Sequence, residues 1–396
     1  MFADYRSSEI EKDGIPYDTS IPYQMNTMAD QMSNFNLVLS CLRPKPALCP
    51  TERIRTAIMN EPDWEQLNQI VTLHSMLPLF LHNLSSVGGH LLPPDLNAHI
   101  EQFFRVAQGH YRIQLKELGR IVQLLEKNNI SSIVIKGRTL GAEAYGDPVL
   151  RRSIDFDILI PKSKLHAAEH LLISDGYIPF EKIKILNRIQ KRMHLWLSKQ
   201  YPFQRYNGFF NLDLHFCVMS PGYHYPATFN DFWSYSKILT IEDLELRTLV
   251  PEELLILLSY HGVKNQWHSL KYVCDIAALL ESHPDLNWET VISRAEENRC
   301  RRFLLVGLSL ANRLLETKLP MKINEKIQND IWVQKVVTAL IDILRIRHEG
   351  RRFSYRERVW FHLATREDYR DKFRYIFTSF LANIWSYIYQ NNLKTS

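Results

Sequence analysis

The chain has 396 residues, 45% hydrophobic and 23% charged, a globular composition with apolar mass for two or three cores. A formal charge of +5 does not by itself argue for nucleic acid, and the five cysteines form no C-x-x-C pair, so no disulfide or zinc framework is legible and a cytoplasmic setting fits. No apolar run approaches the roughly 20 residues of a membrane span, and "MFADYRSSEIEKDG" lacks the basic start and apolar core of a signal peptide.

Residues 1–33 are polar and without periodicity, and read as a flexible tail. The span 34–129 reads as a helical region. In "DWEQLNQIVTLHSMLPLFLHNL", Leu67, Ile70, Val71, Met76, Leu77 and Phe80 are spaced for one apolar side, and "LKELGRIVQLLEKNNI" repeats the pattern up to an Asn pair. At Ser131 the pattern changes. "SSIVIKG" is a short apolar run closed by glycine, a buried strand; "RTLGAEAYGDP" is a short helix stopped by Gly146 and Pro148. "SIDFDILIP" is a second strand, "KSKLHAAEHLLISDGY" an amphipathic helix with Gly176 past its end, and "IPFEKIKIL" a third strand. The alternation around Asn207-Gly208 predicts a hairpin. These elements make 130–245 an α/β core. Helices return from Pro251, and 246–396 reads as a C-terminal helical domain. The fold class expected is α+β: a small mixed sheet with helices on one face, embedded between two helical regions.

In "SIDFDILIP" side chains alternate, so Asp155, Asp157 and Leu159 share one face while Ile154, Phe156, Ile158 and Ile160 share the other. Two neighbouring carboxylates repel, and one tends to stay protonated unless a cation lies between them. Mg²⁺ (or Mn²⁺), bound through carboxylates and substrate phosphates, removes the conflict. The strand "FNLDLHF" repeats the arrangement, with Asn211, Asp213 and His215 on its polar face. Three carboxylates can hold two metal ions, one activating an attacking oxygen and one neutralising a triphosphate. Gly137 ends the first strand where a backbone can approach phosphate oxygens, and Lys136, Arg138 and Arg151 lie near enough in sequence to hold them. The bland reading of D-x-D alone is a solvated edge strand. "HAAEH", His166 to His170, matches the H-x-x-E-H zinc-protease pattern, but no third zinc ligand is evident nearby.

"IVIKGRTLGAEAYGDPVLRRSIDFDILI" resembles the uncharacterised-nucleotidyltransferase family of the polymerase-β-like superfamily, through Lys136-Gly137, Tyr145, Arg151, Asp155 and Asp157. "LDLHF" matches a later strand of that family, with Asp213 as third acid. Trp64 and His74 match its N-terminal helices, and His261, Lys264, Trp267, Leu270, Lys271 and Asp275 match a later helix. The resemblance implies transfer of a nucleoside monophosphate from an NTP to an acceptor with release of pyrophosphate. It makes Asp155, Asp157 and Asp213 catalytic and metal-binding, and assigns nucleotide contacts to Lys136, Gly137, Arg138, Arg151, Lys271 and Asp275. His215, His261 and Lys264 are the candidates for the second substrate, a small molecule in preference to RNA or protein. Two positions depart from the pattern: Arg138 replaces the serine usual after the turn glycine, and Asn265 stands where relatives often carry His. The alternative is a catalytically silent module on the same fold that binds a nucleotide or a partner.

Near the C-terminus, Phe373, Ile376, Phe377, Phe380, Ile384 and Ile388 recur at helical spacing, which reads first as core. Between Arg345 and Arg374, ten Lys/Arg stand against five Asp/Glu, which reads first as a solvated face. Together they leave a peripheral membrane or partner contact as the alternative.

Overall fold

The computed structural model describes residues 28–180, 187–346 and 353–395, with side chains from Asn34 to Trp385 outside the gaps. Helix α1 (Met28–Cys41) begins inside the span read from sequence as tail. It packs with α2 (Thr51–Met59), α3 (Trp64–Leu73) and α4 (Leu77–Gly88). The Asp63 carboxylate accepts from the Gln66 amide at 2.9 Å and starts α3. The apolar pattern continues into α4, but the backbone breaks at Ser75, where φ is +57°, and Pro78 restarts it in a first turn that needs no N–H. Helix α5 (Pro94–Lys127) then runs 34 residues and stops at the Asn pair.

The α/β unit follows: β1 (Ile133–Val134), α6 (Arg138–Tyr145), β2 (Asp155–Leu159), α7 (Leu165–Ser174), β3 (Ile178–Pro179), α8 (Arg188–Ser198), β4 (Gln200–Arg205) and β5 (Phe210–His215). The sheet order is β1-β2-β5-β4-β3, with β2 and β5 parallel and the other pairs antiparallel. Of the expected third strand, only Ile178–Pro179 pairs; 181–186 lie outside the described residues. Phe156, Ile158, Ile160, Leu212 and Leu214 pack with residues of α5 and α7 in one core. Ile154 was expected with this set, but it precedes the strand's first paired residue and is exposed.

The sequence reading missed a second hairpin, β6 (Ser236–Ile241) and β7 (Leu244–Leu249), preceded by α9 (Phe229–Ser234). Its turn is Glu242-Asp243, without the glycine that marks most tight turns. Thr248 Oγ1 donates to the Val134 carbonyl at 2.8 Å and fastens the hairpin to β1.

Among the described residues, the remaining helices are α10 (Pro251–Lys264), α11 (Leu270–Ser282), α12 (Trp288–Glu297), α13 (Arg301–Leu315), α14 (Met321–Asn329), α15 (Ile331–Ile346), α16 (Tyr355–Ala364) and α17 (Tyr369–Thr395). Helices α10, α11 and α13 pack on one another, and their core reaches the sheet through Ile133, Ile135 and Leu159. Trp267 is fully buried at the centre of this layer. The C-terminal stripe corrects an expectation: Phe373 is 69% exposed and Phe380 61%, with Ile376, Phe377 and Ile384 also exposed. Helix α17 instead turns Asp371 and Trp385 inward; the side chain of Ile388 lies outside the described residues.

Gly262 and Gly307 make room for the Trp267 ring: an added Cβ would come within 2.5 Å and 2.7 Å of it respectively. Gly262→Ala is therefore expected to lose about 1–3 kcal/mol of stability by overpacking. Urea unfolding followed by tryptophan fluorescence measures this, and an unchanged midpoint contradicts the packing described.

Candidate active site

Parallel pairing of β2 with β5 places Asp157 opposite Asp213, Asp155 opposite Asn211 and Leu159 opposite His215. The odd-numbered residues of both strands share a face. Asp157 and Asp213 are buried, while Asp155, at the strand's entrance, is half-buried. Asp157, Asp213 and His215 offer ligand atoms that all lie within 4.8 Å of one another.

Asp157 Oδ1 meets His215 Nε2 at 2.9 Å and Lys136 Nζ at 3.2 Å. Burial by itself pushes this carboxyl upward, but the Lys136 ammonium and the His215 hydrogen bond outweigh it and hold Asp157 far below the usual carboxylate range. Lys136, one residue past Ile135 and next to Gly137, thus brings a positive charge to Asp157 from within the chain. Lys136 Nζ also lies 2.6 Å from His261 Nε2. Burial first, and then Lys136, push the His261 imidazole well below its ordinary pKa, so the ring is neutral and Nε2 accepts from the ammonium. On the other side of the ring, Asn265 Nδ2 lies 2.8 Å from His261 Nδ1 and donates to the His261 carbonyl at 2.8 Å. Asn265 is thus the side-chain neighbour of His261 on the helix's last turn.

Gly137 has φ of +80°, and a Cβ there would lie 3.2 Å from Ser153 Oγ and 3.4 Å from the Asp155 carbonyl. The glycine lets the turn before α6 press against the entrance of β2. Three residues expected to contact the nucleotide, Arg138, Arg151 and Asp275, are engaged inside the protein. Arg151 grips Asp275 through Nε–Oδ1 at 2.7 Å and Nη2–Oδ2 at 2.9 Å, and donates to the Gly137 carbonyl at 3.2 Å. Tyr145 Oη donates to the same Asp275 oxygen at 2.9 Å. The Arg138 guanidinium runs toward α5, donating to Gln114 and, at 3.2 Å, to the Ser153 carbonyl. Arg138, Arg151 and Asp275 therefore fix the turn's position.

Lys271 and Asp275 are one helical turn apart but do different work. Lys271 Nζ donates to the Arg152 carbonyl at 2.7 Å, reaching from α11 to the loop that enters β2. Burial, then Arg151, push its ammonium down to about 7. Lys264 is exposed at the last residue of α10, one turn past His261. His166 and His170 have ring centroids 4.5 Å apart, but both are exposed, and Glu169 is engaged by Lys191 at 2.6 Å and Tyr201 at 2.8 Å. Among the described residues, no third ligand joins them.

Sequence reasoning gave His74 and Tyr145 no role, and the structure gives each one. The His74 carbonyl accepts from Ser269 Oγ at 2.6 Å and its Nδ1 from the Leu270 amide at 3.2 Å, so the N-terminal helices hold the start of α11. The signal available was the presence of His74 and Tyr145 in the family pattern, which names positions but not tasks.

A family model described as uncharacterised nucleotidyltransferase matches residues 60–316, a span that contains every residue of this site. No curated protein matches the chain.

The Arg151–Asp275 pair is almost fully buried on both sides. Asp275→Asn leaves the guanidinium without its counter-charge and is expected to cost about 3–5 kcal/mol of stability. Chemical unfolding checks this; a loss below that range, with nucleotide affinity alone reduced, would place Asp275 at the ligand instead.

Proposed function

Because the chain belongs to the uncharacterised nucleotidyltransferase family, we propose that it moves a nucleoside monophosphate from an NTP to an acceptor hydroxyl, a small molecule in preference to RNA or protein. The acceptor oxygen attacks the α-phosphorus, the bond from that phosphorus to the β-phosphate's bridging oxygen breaks, and pyrophosphate leaves. The observation that carries this reading is the in-register pairing of Asp157 with Asp213, with Asp155 two residues earlier on the same face.

The donor set fits a hard divalent cation. Carboxylate oxygens from adjacent strands suit Mg²⁺ or Mn²⁺, and Asp155, Asp157 and Asp213 would hold it. When bound, such an ion supplies charge neutralisation for the triphosphate and acidifies a bound hydroxyl. The chain's own groups do the rest. Lys136 and His215 fix the orientation of the Asp157 carboxylate. Asp213 accepts the acceptor's proton. Lys136 and Lys271 bind phosphate oxygens, the Gly137 turn presents backbone to them, and Arg138, Arg151 and Asp275 keep that turn in place. His261 and Lys264, both in the last turn of α10, meet the acceptor.

Each labelled NTP, incubated with Mg²⁺, the protein and a cell extract, is expected to give one labelled product and pyrophosphate. Asp157→Asn or Asp213→Asn should lower the rate on the order of 10²–10⁴-fold. Absence of product from every NTP, with Mg-NTP affinity equal in wild type and both variants, overturns the reading in favour of a silent module.

The Lys271 ammonium gives a second test. Its pKa stands at about 7 in the free protein, and a docked phosphate raises it. Above that pH, Lys271 is largely neutral before binding and charged after, so binding takes up a proton and affinity falls as pH rises. Titration calorimetry at pH 8 in two buffers of different ionisation enthalpy is expected to report uptake of ~1 proton, falling toward zero at pH 6. Equal enthalpies in both buffers at pH 8 would remove Lys271 from the phosphate site.

A further inference from the structure

Helix α17 is built inside out. Its inward side carries Asp371, which lies 3.8 Å from Arg299, together with Tyr375 under the Arg366 guanidinium at 4.4 Å. Gly222 packs so close to Thr378 that a Cβ would fall 2.8 Å from its hydroxyl, and Trp385 packs on Met193 and Leu197 of α8. These contacts dock the helix firmly. Its outward side carries Tyr369, Phe373, Ile376, Phe377, Phe380 and Ile384, all exposed. Folding alone selects the opposite arrangement, and a contiguous aromatic face on solvent marks a contact surface.

The charges beside this face identify what covers it. At about 100° per residue, Arg370 falls on one margin of the stripe and Lys372 on the other, with Arg374 beyond Arg370. The sole carboxylate of Tyr369–Thr395 is Asp371, and it is buried on the inward side. The outward half therefore presents an apolar centre flanked by cations and no anion. A second copy pairing through this face about a two-fold axis would set cation against cation. An anionic surface with an apolar interior matches both features: aromatic rings enter it, and Arg and Lys stems extend sideways to its charged groups. The family match ends at residue 316, so the stripe lies outside the matched span.

We propose that α17 docks the protein on an anionic lipid bilayer, Phe373, Phe377 and Phe380 entering the headgroup boundary and Arg370 and Lys372 meeting lipid phosphates. The proposal is independent of the reaction at Asp157.

Flotation of the full chain with vesicles of phosphatidylcholine, alone or mixed with phosphatidylglycerol, tests it. Retention is expected on the mixed vesicles and should weaken in high salt. Phe377→Ser combined with Phe380→Ser should reduce retention about tenfold or more on those vesicles. Arg370→Ser combined with Lys372→Ser should reduce retention on the anionic vesicles and make it insensitive to salt. Arg370, Phe377 and Phe380 are exposed and Lys372 is half-buried at the margin of the stripe, so circular dichroism should give one thermal midpoint for wild type and variants. Failure of wild type to float with anionic vesicles overturns the proposal, as does equal retention of wild type and the phenylalanine variant. A dimer in sedimentation equilibrium that the phenylalanine variant abolishes, without vesicle retention, would assign the face to a second copy and overturn it as well.

Discussion

The site depends on keeping a buried carboxylate ionised beside a second one. Asp157 lies opposite Asp213 in the middle of a sheet, where water is scarce and like charges are costly. The chain meets this cost with Lys136 and His215, which converge on a single Asp157 oxygen. A buried anion with two fixed donors is held in one orientation before any ligand arrives, which is what positioning of a reacting group requires. The same ammonium reaches His261, so the sheet and α10 are joined through the group that stabilises the acid.

A second buried pair governs where that ammonium sits. Lys136 precedes Gly137, and the Gly137 carbonyl is held by Arg151, which is clamped in turn by Asp275 of α11. Helix α11 is itself started by Ser269, whose hydroxyl reaches the His74 carbonyl after α3. The N-terminal helices, the sheet and the C-terminal helices thus meet at one turn. The residues that look like phosphate ligands by charge are partly the residues that fix this turn. A buried pair of this kind makes a poor stabiliser relative to apolar packing but a good determinant of register.

Much of this was legible in the chain. Period-two alternation placed the D-x-D and D-x-H acids on one face, and Gly137, Gly146 and Gly176 marked turns that have positive φ. The hairpin around Asn207-Gly208 followed from turn chemistry. Three features were not legible, each for a physical reason. The β6–β7 hairpin has no glycine at its turn. The destination of an arginine's guanidinium, such as that of Arg138 or Arg151, is set by contacts far apart in sequence, so charge near a motif does not say what it binds. The stripe on α17 has the spacing of a core face, and only the packing of Asp371 and Trp385 decides which way it points. Periodicity reports that a helix has two sides, and tertiary contacts decide which side is covered.

The direct test of the acidic pair is a crystal grown with Mn²⁺ and a non-hydrolysable NTP analogue, examined by anomalous scattering at the manganese edge. The account predicts anomalous density at coordination distance from both Asp157 and Asp213, with the triphosphate beside Lys136 and the Gly137 turn. Bound nucleotide with no manganese at those two carboxylates, or manganese at His166 and His170 instead, contradicts it.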